Sequence, residues 1–213
     1  MKLIKLLPWL DIKNGNLVTS VLKKNNVIFL KQGSVDGACG PYCLFMTLII
    51  LGLIDYDDAI NLWWTKRSTR FGKMLAKMQE HDILFQNGTD LNQLEDLLKN
   101  SFKNKLEINV SEQKGRELIN FCIEQLKENK PTIVGVNGVD LEHWLLAVGY
   151  EENNKGEICK LFFLDPSGVD NTNYWNAIID IENTHHGRYV YEWVDCNETR
   201  LVSFEHGISL GLK

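Results

Sequence analysis

The chain has no apolar run long enough to cross a bilayer, which takes about 20 residues in a helix. Its most apolar stretch, Leu44 to Ile54, stops at Asp55, Asp57 and Asp58. The N-terminal segment Met1 to Leu10 is interrupted by Lys5 and Pro8 and has no small-residue cleavage site, so it reads as a strand or short turn rather than a secretion signal. An excess of basic charge is missing as well. Against 28 Asp and Glu stand 23 Lys and Arg, a formal net charge of −5, and no nucleic-acid partner is expected. The cysteines Cys39, Cys43, Cys122, Cys159 and Cys196 are odd in number and dispersed. That pattern argues against a disulfide framework and for a reducing compartment. No repeat, low-complexity tract or composition break divides the sequence, so one domain over residues 1–213 is expected. These lacks predict a cytoplasmic chain with no membrane partner and no cofactor. Export by a signal-independent route and the oligomeric state stay open.

What is present begins with helices and ends with strands. Asn16 to Val21 and Val27 to Leu30 are short β-like runs, and Gly33 and Gly37 bracket a turn. A helix starting near Ala38 or Cys39 has Pro41 in its first turn, where a missing N–H costs nothing. It is apolar on nearly every face and is predicted to be the central buried helix, ended by Gly52. Further helices are expected after an Asp57-Asp58 cap, over Ser68 to Glu80, after Asp90 with Leu91, Leu94, Leu97 and Leu98 on one face, and over Gln113 to Asn129. From Pro131 the texture turns to β: Thr132 to Val136, His143 to Tyr150, Cys159 to Leu164, Arg188 to Val194 and Thr199 to Phe204. The polar stretch Ser167 to His186 reads as a flap or surface loop, and most of the tryptophans as core. Helices first and an antiparallel sheet second is an α+β pattern.

Chemistry concentrates at a few positions. Cys39 opens the apolar helix, where unpaired N–H groups and the positive end of the helix dipole favour a thiolate. The Cys39 N–H and the amide of Gln32, seven residues earlier, are two candidate oxyanion donors. His143 leads the strand Trp144-Leu-Leu-Ala-Val, a strand end beside a turn being where site residues emerge. Asp165 ends the run Lys160 to Leu164, where a carboxylate needs a partner, and orienting His143 supplies one. The bland alternative is an Asp-Pro turn cap. A Cys39/Cys43 metal pair lacks further ligands at usual spacing, and the adjacent His185 and His186 point apart, so no metal is expected. Trp144 and Gly37 are candidates to line a substrate cleft, and Asp36, Asp140 and Glu142 would give it an acidic rim suited to a basic or neutral peptide.

The segment Cys39-Gly-Pro-Tyr-Cys-Leu-Phe-Met46 resembles the nucleophile helix of the papain-like peptidases that remove double-glycine leaders from bacteriocin precursors, and their stand-alone relatives. His143 to Tyr150 and Leu164-Asp165-Pro166 resemble that family's histidine strand and Asp-Pro strand end. The resemblance implies a papain-like fold, a helical lobe holding Cys39 and a β lobe holding His143 and Asp165. It also implies Cys39 as nucleophile, His143 as general base, Asp165 as orienting group and Gln32 as oxyanion donor, acting on a peptide or protein substrate. The family's glutamine usually stands one residue nearer its cysteine, so the resemblance requires a bulge near Gly37. The family's transporter segments are not in this sequence. The same triad can deamidate glutamine or transfer an acyl group, as in a toxin or effector, and the fold can also serve as a non-catalytic peptide-binding module.

Overall fold

In the computed structural model the described residues are 2–21, 25–33, 37–83, 88–169 and 173–213. The helix carrying Cys39, α1 (Cys39–Ile50), has every residue buried except Tyr42. Gly52 at φ 69 follows its end, a left-handed position that glycine takes without strain. Next come α2 (Tyr56–Ile60), a 3-10 turn (Leu62–Trp64), α3 (Arg70–Glu80), α4 (Leu91–Phe102) and α5 (Gly115–Lys127). Caps fix several starts more tightly than periodicity can. Asp55, not Asp57 or Asp58, caps α2 with a capping box, because Asp58 is the residue that reaches back. Thr69 accepts from the Gly72 N–H, which moves the start of α3 two residues past Ser68. Asp90 and Gln93 form the box that begins α4.

The β part is antiparallel throughout. Its strands are β1 (Leu3–Leu6), β5 (Leu106–Ser111), β6 (Thr132–Gly138), β7 (Leu141–Glu152), β8 (Ile158–Leu164), β9 (Ala177–Thr184), β10 (Tyr191–Asp195) and β11 (Thr199–Leu212). Neighbours run β7-β6-β11-β10-β9-β8, and β8 pairs again with β7, so the path closes on itself. Closure satisfies the edges that an open sheet would leave unpaired. Two long strands extend beyond the ring, β7 to pair with β1 and β11 to pair with β5. A separate three-stranded sheet holds β2 (Leu10–Lys13), β3 (Asn16–Thr19) and β4 (Asn26–Val27).

The architecture is α+β, with α1 packed on β6 and β7. The Cys43 thiol, one turn after Cys39, donates to the Trp144 carbonyl at 3.4 Å and ties the helix to β7. This is the arrangement that the papain-like resemblance implies. Two expectations need correction. The stretch read as a flap contains β9, whose inward residues Ala177, Ile179 and Ile181 are buried while Ile178 and Asp180 between them are half-buried. Trp63 and Trp64 are not core: each is 86% exposed, because only Leu62 of their turn faces the interior.

Candidate active site

His143 lies near the start of β7 and is buried. Its Nε2 is 2.7 Å from Oδ1 of Asp165, which follows the last residue of β8. With Nε2 occupied by Asp165, the other ring nitrogen is the one left to face the Cys39 sulfur, which acts on the imidazole from the same cleft. One face of the imidazole stacks on Trp193 of β10, centroids 5.8 Å apart and planes 15° from parallel. Burial by itself would push this imidazole down. The hydrogen bonds to Asp165 and Cys39, with the charge on both, outweigh that effect and raise it from 6.5 to about 9. At neutral pH the ring is therefore an imidazolium.

Asp165 is itself held from three sides. Its Oδ1 accepts from the Ser167 N–H at 2.8 Å, its backbone N–H donates to Asn176 Oδ1 at 2.7 Å, and its carbonyl accepts from Asn176 Nδ2 at 2.9 Å. Asn176 thus clamps the backbone of the residue that orients His143. No short motif announces it, since it comes from the polar stretch before β9.

Gln32 comes to the same place from the other side of the chain. Its backbone N–H donates to the Pro166 carbonyl at 2.7 Å, and its Oε1 accepts from the Ser167 hydroxyl at 3.3 Å. Those contacts seat it beside the Asp165 turn and turn its amide nitrogen away from Ser167. The bulge expected near Gly37 and the candidate Asp36 fall in residues 34–36, outside the described residues.

These groups meet in a cleft of about 520 Å³ whose lining includes Gln32, Gly37, Cys39, His143 and Trp144. Trp144 is a buried wall. Its indole N–H donates to the Thr89 carbonyl at 2.7 Å, and its ring lies 4.6 Å from that of His206. A Cβ at Gly40 would press on this contact, 3.1 Å from Thr89 Cβ and 3.2 Å from the indole. The far wall carries groups that sequence reasoning passed over: His206, Glu205 and Lys114. A bulge in β11 between Phe204 and His206 brings the consecutive Glu205 and His206 to one cleft, an irregularity with no sequence signature. Lys114 pairs with Glu205, and burial, aided by Lys114, holds His206 below its ordinary value against the pull of Glu205. Asp90 and Glu142 also line the cleft, whereas Asp140 sits in the β6–β7 turn at φ 52, outside the lining.

The other thiols differ in kind. Burial raises Cys43 well above the ordinary range, Cys122 to about 12 and, with Glu151 alongside, Cys159 to about 11. Cys196 is exposed. Among the described residues no group of three or more His, Cys, Asp or Glu is placed to hold a metal ion. A larger concavity, about 800 Å³, contains none of the residues above.

No family model matches the chain, and no curated protein sequence matches it. Among solved structures it is similar to UfSP from C. elegans, with a TM-score of 0.43 and 12% identity. The match covers 88% of this chain and 32% of that one. The functional reading therefore rests on this chain's own side chains.

Proposed function

We propose that this chain is a papain-like cysteine hydrolase that cleaves a peptide or other amide bond. One observation carries the reading: a buried imidazole 2.7 Å from Asp165 on one nitrogen, sharing a cleft with Cys39 at the mouth of its helix. The Cys39 thiolate attacks the substrate carbonyl carbon. The developing oxyanion is received by the Cys39 N–H, one of the helix donors without an intrahelical partner, and by the Gln32 amide. The His143 imidazolium gives its proton to the leaving amine, leaving a thioester on Cys39. Water then attacks the thioester, His143 takes its proton, and the carboxylic acid departs as the thiol is restored.

Asp90, Glu142 and Glu205 outnumber Lys114 in the cleft lining, which favours a basic or neutral peptide. The motif resemblance to the double-glycine leader peptidases and their stand-alone relatives supports this chemistry. Incubating wild type and Cys39→Ala with a proteome-derived peptide library in oxygen-18 water tests the reaction class. New C-termini carrying the label in wild type alone support hydrolysis. Glutamine converted to labelled glutamate without chain cleavage would make the enzyme a deamidase instead. Identical peptides in both samples would refute the hydrolase.

A further inference from the structure

Trp63 and Trp64 are each 86% exposed and Ile60 beside them 51% exposed, an apolar protrusion on a chain whose other large side chains are mostly covered. The turn is not loose. Leu62 packs on the core, the Trp64 N–H donates to the Asn61 carbonyl at 2.9 Å, and Thr65 Oγ1 donates to the Asp58 carbonyl at 3.4 Å. Two indoles are thus held out in water by a structured turn. Large exposed apolar groups are the informative exception to burial, and tryptophan has a particular affinity for the headgroup layer of a bilayer.

After the turn the charge is of one sign, although Asp55, Asp57 and Asp58 precede it. From Lys66 through Lys77 the chain carries Lys66, Arg67, Arg70, Lys73 and Lys77 and no acidic residue. The 800 Å³ concavity beside Trp64 is rimmed by Lys66, Arg70, Lys73 and, from across the gap, Lys105, with Phe71 and Phe102 also in its lining and Asp58 its one carboxylate. Among the described residues no carboxylate lies within ion-pair distance of Lys66, Arg70, Lys73 or Lys105. A chain of net charge −5 has therefore gathered cations without ion-pair partners around the two most exposed aromatic side chains among the described residues.

We propose that the Trp63–Trp64 turn and the cations around the adjacent concavity form a peripheral docking surface for an anionic phospholipid bilayer. The indoles enter the headgroup layer, and the lysines and arginines neutralise lipid phosphates and carboxylates. Among the described residues no helix is long and apolar enough to cross a membrane, and the surface proposed lies on the bilayer. This departs from the sequence-based expectation of no membrane partner, which rests on the lack of a spanning or signal segment. Two exposed indoles beside a cluster of cations suit an anionic planar layer that both can enter better than a single stacked base or a narrow protein pocket. Phe102 ends α4 at this concavity, while the Asp90 cap of the same helix lines the Cys39 cleft. Twelve residues separate the two surfaces by about 18 Å along the helix axis, so docking leaves the cleft open.

Co-sedimentation of the full chain with phosphatidylcholine vesicles, with and without about 30% phosphatidylserine, tests this. The expected result is binding at least tenfold stronger to the anionic vesicles, weakened at high salt. Binding should fall at least tenfold in Trp63→Ala/Trp64→Ala and in Lys66→Glu/Lys73→Glu, with Cys39 alkylation unchanged in both variants as the check on folding. Equal binding to both vesicle types, or full binding retained by the tryptophan variant, overturns the proposal. So does an absence of vesicle binding together with self-association that the tryptophan variant abolishes, which would make the patch an interface between protein copies.

Discussion

Replacing Asp165 by Asn removes a charge while keeping a shape. The amide is isosteric with the carboxylate and its oxygen can still accept from His143 Nε2 and the Ser167 N–H, so the clamp by Asn176 should hold. What is lost is the negative charge against a buried imidazolium. At an effective dielectric of about 20 and a charge separation of about 4 Å, that attraction is worth about 4 kcal/mol. Hydrogen bonds to charged groups measured by mutation come to about 1.5–3 kcal/mol. Taking about 3 kcal/mol, the thiolate–imidazolium pair becomes less favourable by about a hundredfold relative to the neutral pair. Iodoacetamide reads this without any substrate, since only the thiolate is alkylated. At neutral pH the Asp165→Asn variant should label at Cys39 up to about a hundred times more slowly than wild type. At strongly alkaline pH, where the sulfur is ionised with or without its partner, the two rates should converge. Equal neutral rates in a folded variant would refute the electrostatic role given to Asp165.

Hydrolysis should fall as pH rises through about 9, because the imidazolium that protonates the leaving amine is present below that value and lost above it; kcat/KM against pH on any substrate found by the library measures it. Asn176→Ala removes two hydrogen bonds to the Asp165 backbone and should cost about 2 kcal/mol in urea unfolding, with a fall in kcat at little change in KM. Of the five cysteines, only Cys39 and the exposed Cys196 should be alkylated in the native protein; Cys43, Cys122 and Cys159 should label only on unfolding, as peptide mass mapping would show. Gly149→Ala would set a Cβ 2.4 Å from the Lys5 carbonyl oxygen, and forcing β1 away from β7 should lower stability by about 1–3 kcal/mol in thermal unfolding.

Features written in local chemistry were legible. Pro41 and Gly52 bracket α1, the Asp90 box starts α4, and apolar runs mark β6, β7 and β8 within a residue or a few of their ends. His143 and Asp165 stand out because polar groups at the ends of apolar strands need a reason to be there, and the structure brings them to 2.7 Å. Features set by tertiary context were not. β9 does not read as a strand because its second half, Glu182-Asn183-Thr184, is polar and exposed, and β5, overlooked in the sequence, exists because β11 runs on to Leu212 and offers an edge. Glu205 and His206 reach the cleft through a bulge, and Asn176 reaches Asp165 through a loop; neither leaves a periodic trace. Trp63 and Trp64 violate the hydrophobicity that made them look like core, the kind of failure expected where a surface serves something outside the chain.

Nitrogen-15 NMR of the His143 ring, titrated in wild type and Cys39→Ser, probes the proton relay itself. The account requires an imidazolium at neutral pH with its Nε2 proton on Asp165, a midpoint near 9, and a lower midpoint once the sulfur is gone. A neutral ring at pH 7 with a midpoint near 6.5, unmoved by loss of Cys39, would contradict it.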